Sequence, residues 1–73
     1  MNSQQVIIHV RFAPNGRVVQ ISERPGKLTP NQWFDVLNAR SGSAYQPLAR
    51  SRGVFRLSRI AVEALKQDTT GSR

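Results

Sequence analysis

Between Val6 and Ser22 two runs rich in β-branched residues are joined by Ala13-Pro14-Asn15-Gly16, a pattern that admits little other than a β-hairpin. Val6, Ile8, Val10 and Phe12 alternate with Ile7, His9 and Arg11, the period of a strand with one buried face. The second run, residues 17–22, carries Val18, Val19 and Ile21, which suit a pleated surface. Pro14 presets φ for the first corner of a turn, and Asn15 and Gly16 tolerate positive φ. Two registers compete. A type I turn closed by a glycine bulge sets Phe12 opposite Val18 and Val10 opposite Gln20. A two-residue Asn15-Gly16 loop sets Phe12 opposite Val19 and Val10 opposite Ile21. That match is more apolar, but it leaves Pro14 where a ladder N–H is wanted. Turn chemistry favours the longer loop.

The next segment predicts a helix over about 30–40. Thr29 is a good N-cap, Pro30 fits the first helical position, and Gln32 completes a capping box. Leu28 and Trp33 can staple across the cap, and Trp33, Phe34, Val36 and Leu37 form an apolar stripe. Gly42 is the expected stop, with Arg40 placed well for the negative helix end. Residues 44–49 flank Pro47 and suit an edge strand or an irregular loop. Arg50-Ser51-Arg52-Gly53 reads as an exposed turn, and Val54 to Leu57 as a short strand paired with the Tyr45 region. Ser58 then caps a second helix over about 59–67, with Leu57 and Val62 as its staple and Ile60, Ala61, Ala64 and Leu65 as its buried stripe.

These elements predict a small single α+β domain in ββαββα order, an antiparallel sheet with two helices packed on one face. The domain should span residues 6–67, with a flexible N-terminus at 1–5 and a disordered polar tail at 68–73. Its expected core is Val10, Phe12, Val19, Ile21, Trp33, Val36, Leu37, Phe55, Ile60 and Leu65. Seventy-three residues bury one thin core, and the absence of cysteine excludes a disulfide framework or a thiolate metal site. A lone histidine with four scattered carboxylates cannot build an ordinary zinc site. No metal or cofactor is therefore expected, and a homodimer is the remaining common reinforcement. No segment has the form of a signal peptide or the length of a membrane span, so the expected compartment is the cytoplasm, with no membrane partner.

Charge narrows the partner. Eleven Lys and Arg stand against four Asp and Glu, a formal +7, and no acidic residue occurs between Asp35 and Glu63. That gap holds Arg40, Arg50, Arg52, Arg56 and Arg59. A single-sign field on so small a body draws polyanions. Arg50, Arg52, Arg56 and Arg59 lead into a helix start, where Arg59 opposes the macrodipole unless an anion is near and free N–H groups welcome phosphate. Arg11 and Arg17 can contribute from the hairpin. Among the aromatics, Tyr45 beside a proline is the best candidate for stacking on a base, and the others are expected in the core.

Catalysis finds no support. His9 lies mid-strand and reads as a sheet-face imidazole rather than a general base. Ser58 is explained as a cap, and the glycines are isolated turn residues rather than a phosphate-binding loop. The expected function is that of a small basic non-enzymatic module contacting nucleic-acid phosphates, DNA or RNA, through the arginine cluster. The alternative is a protein-interaction or inhibitor module that docks its basic surface, or an open sheet edge, on an acidic protein.

Overall fold

In the computed structural model, which describes residues 4–70, the alternation of the first run becomes strand β1, Gln5–Phe12. Val6, Ile8 and Val10 are buried along it, and Ile7, His9 and Arg11 are exposed. Strand β2, Val18–Ile21, returns antiparallel after a turn in which the Gly16 N–H donates to the Ala13 carbonyl at 2.8 Å. Gly16 takes φ 89°, so the longer loop forms as its residues require.

The register combines both alternatives. Phe12 pairs with Val18, as the longer loop demands, yet Val10 pairs with Ile21, as the apolar pattern demands. A bulge between Arg11 and Phe12 makes this possible, because Val19 is an extra residue on β2. Val19 was expected in the core and is instead 53% exposed, since the bulge lets Val18 and Ile21 both be buried.

Helix α1, Pro30–Ser41, starts at the predicted capping box. The Thr29 Oγ1 accepts from the Gln32 N–H at 3.1 Å, and the Gln32 Oε1 accepts from the Thr29 N–H at 2.9 Å. Trp33 and Leu37 are its fully buried residues. Gly42 does not end the helix in the left-handed region. It has φ −59° and opens a short 3-10 turn, Gly42–Ala44, which delivers the chain into strand β3, Tyr45–Leu48. Strand β4, Arg52–Ser58, includes Arg52 and Gly53, which were expected in the turn. The turn proper is 49–51, where Arg50 and Ser51 have φ 64° and 59°.

Helix α2, Arg59–Thr70, follows β4 without a connector, and the Ser58 Oγ caps it by accepting from the Ala61 N–H at 3.0 Å. The helix runs past the expected end near Gln67, so 68–70 are helical where a tail was anticipated. Residues 1–3 and 71–73, parts of the expected flexible ends, lie outside the described residues. The Arg59 N–H also donates to the Gln4 carbonyl, which fixes the direction in which α2 leaves the sheet. Its buried stripe is consequently Val62 and Leu65, with Ala61 and Thr69 half-buried. Ile60, expected inside, is 74% exposed.

The sheet order is β2-β1-β4-β3, all antiparallel. Val6, Ile8, Val10, Val18, Ile21 and Phe55 pack with Trp33, Leu37, Val62 and Leu65 in one core. Both helices therefore cover one face of the sheet, and this is a small α+β domain as predicted. Among the described residues, no helix is long and apolar enough to cross a membrane.

Candidate functional site

Strand pairing decides what the other face of the sheet carries. Directly opposed residues share a face. Ile7 pairs with Arg56, His9 with Val54, and Arg11 with Arg52. On the outer flanks Gln20 pairs with Arg11, Gln46 with Val54, and Leu48 with Arg52. None of the described elements lies over this face.

Its charge has one sign. None of the four strands contains Asp or Glu. Arg11, Arg52 and Arg56 sit on the open face, and Arg17 and Arg50 stand in the two turns at one end of the sheet. That end is held together by the Phe12 N–H donating to the Ser51 carbonyl at 2.8 Å. Among the described residues, no carboxylate lies within ion-pair distance of these five arginines. The four acids are Glu23, in the connector after β2, and Asp35, Glu63 and Asp68, on the helices. The fold thus separates a nearly neutral helix layer from a cationic sheet layer.

Arg11 opposite Arg52 is unfavourable by itself, since like charges paired across strands repel. Beside them, Arg56 donates to the Gln46 Oε1, which orients its guanidinium without neutralising it. Val54 between His9 and Gln46 is only 3% exposed although no helix covers it, so the side chains of this face shield it themselves. Next to it a cavity of about 230 Å³ opens between β1, β2 and β4, bordered by His9, Arg11, Gln20, Ser22, Leu48 and Arg52. The His9 N–H donates to the Ser22 Oγ at 2.9 Å, which secures this wall.

Of the residues singled out from sequence, the structure brings Arg11, Arg52 and Arg56 onto one surface, with Arg17 and Arg50 at its end. Arg59 does not join them. It follows Ser58, which pairs with Gln5 at the opposite end of the sheet. The anion it needs is supplied within the chain: its Nη1 and Nη2 donate to Glu23, and Nη1 also reaches the Glu63 Oε2 at 3.0 Å. Tyr45 does not share the open face either. Its ring lies on the helix side, 4.9 Å from that of Phe55 and 5.8 Å from that of Phe34, and desolvation raises its hydroxyl pKa. Phe12 and Trp33 are likewise on the core side, so the open face carries no Phe, Tyr or Trp.

Sequence reasoning missed Gln20, Ser22 and Leu48 as companions of the arginines. The exposed alternation of Ile7, His9 and Arg11 was a legible sign of one such face, but strand order is needed to add the rest. Both sheet edges are blunted: β2 is four residues long with a bulge, and β3 carries Pro47. Comparison with protein-family models, with curated proteins and with solved structures finds nothing that matches this chain.

Proposed function

We propose that this protein is a non-enzymatic nucleic-acid-binding module that holds phosphates on the open face of its sheet. Arg11, Arg52 and Arg56 make the central contacts, and Arg17 and Arg50 extend them at the turn end. The observation that carries this reading is the cross-strand Arg11–Arg52 pair on a face without a carboxylate. Such a pair costs stability in the free protein, and a bound phosphate reverses its sign by bridging both guanidinium groups. Arginine also suits the task by geometry, because its planar fork matches phosphate oxygens.

Arg52 and Arg56, four positions apart on one face of β4, with Arg11 beside them, form a patch rather than scattered surface charge. Arg59 is omitted because its charge is satisfied by Glu23 and Glu63, and Tyr45 because its ring serves the core. The blunted edges weigh against strand addition by a protein partner.

A salt titration of oligonucleotide affinity tests the reading. The slope of log K against log salt should lose about 0.7–0.9 in magnitude for each phosphate-contacting arginine replaced by Gln. An Arg52→Glu/Arg56→Glu variant should lose binding while keeping its circular dichroism. Absence of binding by the parent protein even at low salt, alongside recovery of one acidic protein as a stoichiometric partner, would transfer the basic face to protein docking.

A further inference from the structure

Resting on that reading, we infer that the open face takes single-stranded nucleic acid, with one nucleotide seated in the cavity between β1, β2 and β4 and its phosphate on Arg11 and Arg52. Width is the first argument. Four strands spaced about 4.8 Å apart span roughly 14 Å between the outer strand axes. The major groove of B-DNA is about 12 Å wide and admits a helix or a two-stranded ribbon. A four-stranded face cannot enter it as a unit. Laid on a duplex, the arginines would touch phosphates while the cavity beside them stayed empty.

A single strand can use both. An unstacked base can turn into the cavity while its backbone runs over the arginine pair. The walls there carry what base recognition requires. The His9 ring and the guanidinium planes can stack on a base, which substitutes for the aromatic residues absent from this face. Leu48, 40% exposed, supplies an apolar contact. The exposed Gln20 amide offers both a donor and an acceptor to a base edge. The Ser22 Oγ accepts the His9 N–H, so its own proton remains available to donate. None of these side chains is needed by the core, and all stand beside the two arginines that face each other. DNA and RNA share this chemistry, and a 2′-hydroxyl contact would separate them.

Fluorescence anisotropy with labelled single-stranded DNA, single-stranded RNA of the same sequence, and the matching duplex tests the inference at about physiological salt. Single strands should bind at least about tenfold more tightly than duplex, equivalent to about 1.4 kcal/mol. A Gln20→Ala/Leu48→Ala variant should lose several-fold in single-strand affinity with its salt slope and duplex affinity unchanged. An Arg52→Gln variant should weaken both and flatten the slope. Tighter RNA binding that disappears with 2′-deoxy substitution would assign the 2′-hydroxyl to this site. Equal affinity for duplex and single strand, or a Gln20→Ala/Leu48→Ala variant with unchanged single-strand affinity and a folded spectrum, would overturn the inference. Either result would leave phosphate binding by the sheet intact. Failure of every oligonucleotide to bind at low salt would remove both readings.

Discussion

Glu23 holds Arg59 with both carboxylate oxygens, Oε1 accepting from Nη1 at 3.0 Å and Oε2 from Nη2 at 3.2 Å. Lys66 Nζ donates to the same Oε1 at 2.8 Å. These contacts, Arg59 first and Lys66 second, lower the Glu23 pKa from 4.5 to about 2. Glu23 makes them from a left-handed backbone position, φ 64°, which a non-glycine residue occupies only at a conformational cost. The connector after β2 is thereby tied to α2.

A pH dependence follows from this tie. A carboxylate with a depressed folded-state pKa stabilises fully above its unfolded value and loses that contribution as pH falls through the folded one. Stability from Glu23 should be complete above about pH 4.5 and decline toward pH 2. Denaturation midpoints followed across that window should fall for the parent and fall less steeply for Glu23→Gln. Parallel pH profiles would contradict the assignment. Solvent screening keeps the effect modest, since the pair is only partly buried.

Trp33 should be the anchor of the core. Its side chain is fully buried, and its indole N–H donates to the Ser22 carbonyl at 3.2 Å. Trp33→Ala should cost roughly 3–5 kcal/mol. A domain this small has about 5 kcal/mol or little more to lose, so the variant should be largely unfolded near room temperature. Urea titration by far-ultraviolet circular dichroism reads this directly, and an unchanged midpoint would contradict the packing described.

Stability and binding should move in opposite directions at the arginine pair. Arg52→Gln removes one of two like charges paired across strands, which should stabilise the free protein by about 0.2–1 kcal/mol at low salt. The gain should shrink as added salt screens the repulsion. Affinity for oligonucleotides should fall in the same variant. Loss of stability together with loss of affinity would mean that Arg52 holds the sheet together rather than storing repulsion for a ligand.

Gly53 is the one position in the sheet where a close approach demands glycine. An added Cβ would lie 2.6 Å from Cε1 and Cζ of the Tyr45 ring, which packs diagonally over it. Gly53→Ala should cost roughly 1–3 kcal/mol through overpacking. The cost should shrink in a Tyr45→Ala background, because the two residues share one contact. Additive effects in the double-mutant cycle would place the strain elsewhere.

Local chemistry made much of this molecule legible in its sequence. The β1–β2 turn, the capping box at Thr29 and Gln32, the Ser58 cap and the alternation of β1 each depend on residues within a few positions of one another. Such interactions survive into the fold because neighbouring residues meet whatever the rest of the chain does. The arginine-rich, acid-poor middle of the chain was equally plain, and with it the sign of the field.

Tertiary structure decided how those parts combine. Strand order set Arg11 against Arg52, which are remote in sequence, and left Arg59 at the far end with Glu23, 36 positions away. The bulge at Val19 reconciled a turn preference with an apolar register, an outcome neither pattern contains alone. The direct passage from β4 into α2 rotated Ile60 outward and Val62 inward. Periodicity specifies which residues share a face. Only packing specifies which face meets the core, because that choice minimises apolar exposure over the whole chain rather than within one segment.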